Sequence, residues 1–248
     1  MSIPGAALDR TVAVIPAAGL GIRMGAARAK QFIELDGVPL LAWTLAPLER
    51  SGAVDALIVV SAADEIEYCE QEIVKRFGLK KVLRVVAGGP RRQDSVRQGI
   101  LASRGEYGLV LIHDGVRPMI DEILIDRMVS QARQWGPVVS GLPARETVKE
   151  VDEDRLVVKT YDRNQVWLIQ TPQVFPYPVI REAHERAFRE GWEATDDSAL
   201  VERMGVRVRV VEGSERNIKI TTPNDLVLAH LFLKDKTEAA GLCFKGSS

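Results

Sequence analysis

With 248 residues, 46% of them hydrophobic and 27% charged, the chain has the composition of a soluble globular protein with a sizeable core. A formal net charge of -1 supplies no basic field for nucleic acid, and no apolar run is long enough to span a bilayer. Cys69 and Cys243 lie far apart with no metal-ligand spacing, and Met1 to Arg10 has neither the basic nor the apolar region of a signal peptide. Both observations fit a cytoplasmic protein.

The first strand is predicted over Thr11–Ile15. It ends abruptly in Pro16-Ala17-Ala18-Gly19-Leu20-Gly21, and two cations, Arg23 and Lys30, follow in a segment of little bulk. Small residues after a strand let backbone N–H groups approach an anion, and the cations add charge, a combination suited to a nucleoside triphosphate. From the glycines alone, an ordinary βα turn reads equally well.

A helix over Pro39–Arg50, a strand over Ala56–Ser61, a helix over Glu65–Phe77 and a strand over Val82–Ala87 come next. After that strand stands Gly88-Gly89-Pro90-Arg91-Arg92-Gln93-Asp94-Ser95, where paired glycines allow close backbone approach. A helix over Arg92–Ser103 leads to a strand over Leu109–His113, which runs into Asp114-Gly115-Val116-Arg117-Pro118. A carboxylate at a strand end beside glycine is placed to hold Mg²⁺, although Asp114 taken alone reads equally as a turn or cap residue. His113 has no second His or Cys near it in sequence and reads as a packing or hydrogen-bonding residue.

A helix over Glu122–Trp135 and a strand over Val138–Leu142 continue the alternation, which is that of a mostly parallel sheet with crossover helices. Residues 144–162 break it: two β-prone pieces flank Asp152-Glu153-Asp154, as in a hairpin. Such a hairpin would project as an arm, and its exposed edges would pair most naturally with a second subunit; a solvated surface hairpin is the alternative. A helix over Pro178–Glu190, a strand over Val206–Val211 and a helix over Pro223–Phe232 close the chain. Thr222 is expected to cap that last helix, and fraying is expected from about Lys234.

Two common nucleotide motifs are missing. Gly19, Gly21 and Gly25 are spaced one residue too long for the dinucleotide fingerprint, and nothing reads as a P-loop. There is also no nucleophile elbow of the acyl-hydrolase type.

The run PAAGLGIRMGAARAKQF resembles the opening signature of nucleotidyltransferases. GGPRRQDSV, HDGVRP, PARETVK, YDRNQVW, TPQVF, TDDSALVE and NIKITTPNDL resemble, in order, the further blocks of the 2-C-methyl-D-erythritol 4-phosphate cytidylyltransferases. The resemblance implies a single Rossmann-like nucleotidyltransferase domain over residues 1–248, with 144–162 as a dimerisation arm. It implies transfer of CMP from CTP to methylerythritol phosphate, with Mg²⁺ and a homodimer.

Carried onto matching positions, the resemblance makes Arg23 and Lys30 the cations that stabilise the pentacoordinate α-phosphate. Asp114 becomes the metal ligand and Arg117 a cation near it. Ala17, Ala18, Gly19, Gly89 and Ser95 hold the nucleotide. Arg163 and Lys219 orient the acceptor phosphate, with Thr147, Thr171 and Thr195 as supporting contacts. Two positions depart from the family's pattern: Ala29 precedes Lys30 where proline is usual, and Pro90 follows the glycine pair where an acid is common. A ribitol 5-phosphate cytidylyltransferase, or a non-catalytic nucleotide binder, are the competing readings.

Overall fold

The structure, a computed structural model, describes residues 9–19 and 29–240, with side chains to 234. In chain order its elements are β1 (Thr11–Pro16), β2 (Glu34–Leu35), β3 (Val38–Pro39), α1 (Leu40–Arg50), β4 (Ala56–Ser61) and α2 (Ile66–Tyr68), which runs on as a π-helix over Cys69–Lys75. Then come β5 (Val82–Ala87), α3 (Arg92–Ala102), β6 (Leu109–Ile112), α4 (Glu122–Trp135), β7 (Val138–Pro143), β8 (Lys149–Val151) and β9 (Val157–Thr160). The chain continues through β10 (Trp167–Pro176), α5 (Tyr177–Glu190), α6 (Asp197–Arg203), β11 (Arg209–Glu212) and α7 (Pro223–Ala240).

Seven strands form one sheet in the order β11-β7-β10-β6-β1-β4-β5. All neighbours are parallel except β10, which runs antiparallel to both β6 and β7. β1 is buried from both sides, as a central parallel strand should be. Ala13 and Ile15 face the cluster built with Leu41, Leu45 and Met128, while Val12 and Val14 face Val96, Ile100 and Ile180. The chain moves outward from β1 to β4 and β5, then α3 carries it back across the sheet to β6 on the other side of β1. The carboxyl ends of β1, β5 and β6 therefore meet at a topological switch point, where open α/β sheets bind ligands.

α3 lies close to the sheet because Gly99 leaves it room: a Cβ there would stand 2.3 Å from Val14 Cγ1. At the other layer, Asp121 caps α4 by accepting the Leu124 N–H at 2.8 Å, and Gly136 (φ +87°) ends it.

The mostly parallel sheet flanked by helices matches the fold expected from the sequence. Its departures have local causes. β10 was not anticipated, because Pro172 and Pro176 interrupt its pattern; Pro172 falls where the pairing with β7 shifts between Ile169 and Gln173. α6, only 7 residues long, also went unread. α7 continues to Ala240 rather than fraying from Lys234. Its start is as expected: the Thr222 hydroxyl accepts the Asp225 N–H at 3.4 Å, while the Asp225 carboxylate accepts the Thr222 N–H at 2.7 Å. β8 and β9 form a separate antiparallel pair with every residue exposed, including Val157 and Val158.

Candidate active site

Two adjoining cavities open at the switch point. The first, about 180 Å³, is lined by Ala17, Ala18 and Gly19 after β1, by Lys30, by Gly89 and Ser95 around the start of α3, and by Asp114 after β6. The second, about 390 Å³, is lined by Arg117, Thr171 and Thr195. Arg92, Asp114 and Lys219 border both cavities. Eleven of the predicted site residues thus converge on one place from seven separate segments of chain. Thr147 and Arg163, which flank the hairpin, line neither cavity; Arg163 Nη1 instead donates to the Arg145 carbonyl at 3.3 Å. Arg23 lies outside the described residues.

The small residues meet because their backbones are stitched to neighbouring strands. Ala17 N–H donates to Val60 O at 2.7 Å and Gly88 N–H to Ser61 O at 2.8 Å. The Ala17 N–H is therefore committed to the fold, and this residue offers a ligand room rather than a donor. Ser95 Oγ accepts the Gly89 N–H at 3.2 Å, which ties the glycine turn to α3. Lys30 opens a 3₁₀ turn, Lys30–Phe32, whose Gln31 and Phe32 are buried.

Asp114 is the electrostatic centre. Its Oδ1 accepts from Arg92 Nε at 2.8 Å, and its Oδ2 lies 2.8 Å from Lys219 Nζ and 3.6 Å from Arg117 Nε. Burial alone would raise this carboxyl, but the charges of Arg92, Lys219 and Arg117 outweigh it and hold the group well below the usual carboxylate range. Arg92 is itself a bridge, because its Nη1 reaches Asp197 Oδ2 at 2.8 Å. Asp197 is buried at the start of α6, with His184 Nε2 3.2 Å from its other oxygen. Burial raises Asp197 as well, and Arg92 and His184 bring it down.

His113 and Thr171 support the strand end rather than face the cavities with free groups. The Arg117 carbonyl can only accept, so His113 Nε2 carries the proton and donates to it at 3.2 Å. His113 Nδ1 then accepts from the Thr171 hydroxyl at 3.1 Å, while Thr171 Oγ1 accepts the Asp114 N–H at 3.0 Å. Burial, followed by the Arg117 charge, pushes the imidazole down to about 4. Asn217 performs the same service for Lys219: its amide donates to Thr171 O at 2.7 Å, and nearby Ile220 N–H donates to Val116 O at 2.9 Å.

Arg92, Gln93 and Asp197 had no role in the sequence reading. A signal for Arg92 existed, since cations at the positive end of a helix dipole are misplaced unless a carboxylate holds them.

A family model described as 2-C-methyl-D-erythritol 4-phosphate cytidylyltransferase matches residues 11–235. The chain belongs to the 2-C-methyl-D-erythritol 4-phosphate cytidylyltransferase family. It is 50% identical over 227 residues to the cytidylyltransferase of that name from Geobacter metallireducens, covering 90% of this chain and 97% of the relative. The one from Geotalea uraniireducens is 48% identical, with 91% and 97% covered. Among solved structures, the 4-diphosphocytidyl-2C-methyl-D-erythritol synthase of Anaerococcus prevotii superposes with a TM-score of 0.80 at 33% identity, over 91% of this chain and 98% of that one. The Thermus thermophilus cytidylyltransferase gives 0.71 at 32% identity, over 89% and 98%. This cytidylyltransferase has no helix among its described residues long and apolar enough to cross a membrane.

Proposed function

We propose that this cytidylyltransferase works by in-line displacement between its two cavities, with the nucleotide in the smaller and the acceptor in the larger. The reaction of the family joins CTP and 2-C-methyl-D-erythritol 4-phosphate to give 4-diphosphocytidyl-2-C-methyl-D-erythritol and pyrophosphate. An oxygen of the acceptor phosphate bonds to the α-phosphorus of CTP as the bond to the pyrophosphate oxygen breaks. The observation that carries this reading is the shared wall of Arg92, Asp114 and Lys219, which puts two ligand spaces on either side of one charged cluster.

No proton need be removed from the nucleophile. A phosphate monoester has its second pKa at about 6, so it is already largely ionised near neutral pH. His113, buried and bonded on both nitrogens, is not called on as a base. What remains is positioning and charge stabilisation. Lys30 faces the nucleotide cavity and is assigned, with Arg23, to the charge that builds on the α-phosphate. Ala17, Ala18, Gly19, Gly89 and Ser95 shape the nucleotide space. Lys219, Arg117, Thr171 and Thr195 border the acceptor space.

Asp114 suits Mg²⁺, a hard cation that binds one or two carboxylates together with substrate phosphates. It is ionised, buried at a strand end, and common to both cavities. Arg92 keeps Oδ1, and the half-exposed Lys219 can withdraw from Oδ2 to leave that oxygen for the metal. When bound, Mg²⁺ supplies charge neutralisation for the triphosphate.

Arg163 and Thr147 complete the acceptor site of a partner subunit, reached by the exposed β8–β9 arm. The homodimer is thus part of the proposed mechanism.

Pyrophosphate release from CTP with Mg²⁺, measured against methylerythritol, ribitol and erythritol phosphates, tests the reading. Turnover is expected with the first; its absence there would sink the assignment, and preference for ribitol phosphate would replace the acceptor.

A further inference from the structure

Between the end of α5 and the start of α6, residues 191–196 have no regular secondary structure, yet they carry Thr195 into the wall of the acceptor cavity. Their backbone is held from outside. Gln93, the second residue of α3, donates its Nε2–H to the Trp192 carbonyl at 2.9 Å and accepts the Ala194 N–H at Oε1 at 3.2 Å. One side-chain amide therefore pairs with both backbone groups flanking Glu193, much as a neighbouring strand would.

Residues on either side add to the grip. Arg91 Nη1 lies 2.7 Å from Glu193 Oε1, and Arg92 Nη1 lies 2.8 Å from Asp197 Oδ2. The Arg91–Glu193 pair is exposed on both sides and counts for little. Arg92 is tied to Asp114 as well, so its removal would disturb the charged cluster. Gln93 lines neither cavity, and its two hydrogen bonds go to the loop alone. The same turn of α3 holds Ser95 against Gly89 in the nucleotide cavity.

We infer that Gln93 is a positioning residue that fixes the acceptor loop, and with it Thr195, relative to the nucleotide-binding turn of α3. This rests on the two-cavity reading above. Amide donor and acceptor are both required. Glutamate at this position keeps the size and the acceptor for Ala194 N–H, but sets a carboxylate oxygen against the Trp192 carbonyl.

The test is steady-state kinetics with both substrates on Gln93→Ala and Gln93→Glu, with hydrogen exchange at the 192–195 amides. Losing hydrogen bonds of ordinary strength should raise the KM for methylerythritol phosphate about tenfold in either variant. The KM for CTP should stay within about twofold, since no nucleotide contact changes. Exchange at Ala194 should quicken in Gln93→Ala. An unchanged acceptor KM in the isosteric Gln93→Glu, parallel rises in both KM values, or unchanged exchange in Gln93→Ala would each overturn the inference. If the alanine variant fails to fold, the glutamate variant decides the question. Failure of the two-cavity reading has another signature: no turnover by the unsubstituted chain.

Discussion

Lys219 Nζ lies 2.8 Å from Asp114 Oδ2, on the carboxylate oxygen that Arg92 leaves open. An ammonium and a divalent metal cannot share that oxygen closely, so the proposed metal site forms only as Lys219 lets go. Removing the ammonium should ease metal entry while weakening the grip on the acceptor phosphate. For Lys219→Ala we expect the Mg²⁺ concentration that half-saturates CTP binding to fall, by up to about tenfold for loss of a charge-assisted contact. Catalytic efficiency toward the acceptor should fall in the same protein. Calorimetric titration of CTP at several Mg²⁺ concentrations measures the first effect, and an unchanged Mg²⁺ requirement would show that the ammonium does not compete.

His113 makes a separate prediction, in pH. Its folded pKa of about 4 lies below the ordinary 6.5, so the unfolded chain binds more protons between these values. The stabilisation is fully present above pH 6.5 and is lost as pH falls toward 4. The shift corresponds to about 3 kcal/mol over that window. Asp114 and Asp197, both depressed, contribute a loss at lower pH, once the unfolded carboxylates begin to protonate near 4. Urea melts at pH 7, 5.5 and 4.5 should show the first loss in the natural chain and much less of it in His113→Asn. Equal slopes for the two proteins would remove His113 as the cause.

Much of this arrangement was legible beforehand because it is local. The β-branched runs of β1, β4, β5 and β6 declare themselves by composition, and the residues following them are necessarily at one sheet edge once the strands are parallel. That rule draws attention to Asp114, Lys30 and Gly89, and the family resemblance gives them roles. What escaped depends on reversal or on distance along the chain. β10 enters antiparallel, and that is what brings Thr171 to the carboxyl end of β6. Arg92 meets Asp197 across 105 residues and Gln93 meets Trp192 across 99, pairings that no periodicity encodes.

Two glycines near the cavity proposed for the nucleotide should behave differently. A Cβ on Gly88 would stand 2.6 Å from both Ala18 Cβ and Ser95 Oγ, so Gly88→Ala must push apart the turns that shape the cavity. Both stability and CTP affinity should drop, the former by about 1–3 kcal/mol as for other overpacked sites. Among the described residues a Cβ on Gly19 meets nothing within 4 Å. Gly19→Ala should therefore keep its melting temperature and lose affinity only if the ligand itself needs the space. Calorimetry and thermal melts on the pair separate a packing glycine from a ligand-facing one.

Lys30 borders the smaller cavity at the entry to a short turn anchored by buried Gln31 and Phe32. If its charge acts mainly on the α-phosphate during displacement, Lys30→Ala should lose far more in kcat than in CTP affinity. Comparable losses in both would make it a ground-state binding residue.

Arg163 and Thr147 stand at the root of the exposed β8–β9 arm and border neither cavity of their own chain, whereas Lys30 and Asp114 do. If the arm serves a partner's site, a defect in Arg163 and a defect in Arg23 on different chains fall in the same site of a hybrid dimer. One site of the hybrid then carries both substitutions and the other carries none. Random mixing of Arg23→Ala and Arg163→Ala proteins makes half the dimers hybrid, each with one intact site, so about a quarter of the natural activity should return. The measurement is pyrophosphate release after subunit exchange, with exchange followed independently through two affinity tags. Recovery near that level places Arg163 in the neighbour's site; no recovery despite complete exchange confines each site to one chain and leaves the arm a role in assembly alone.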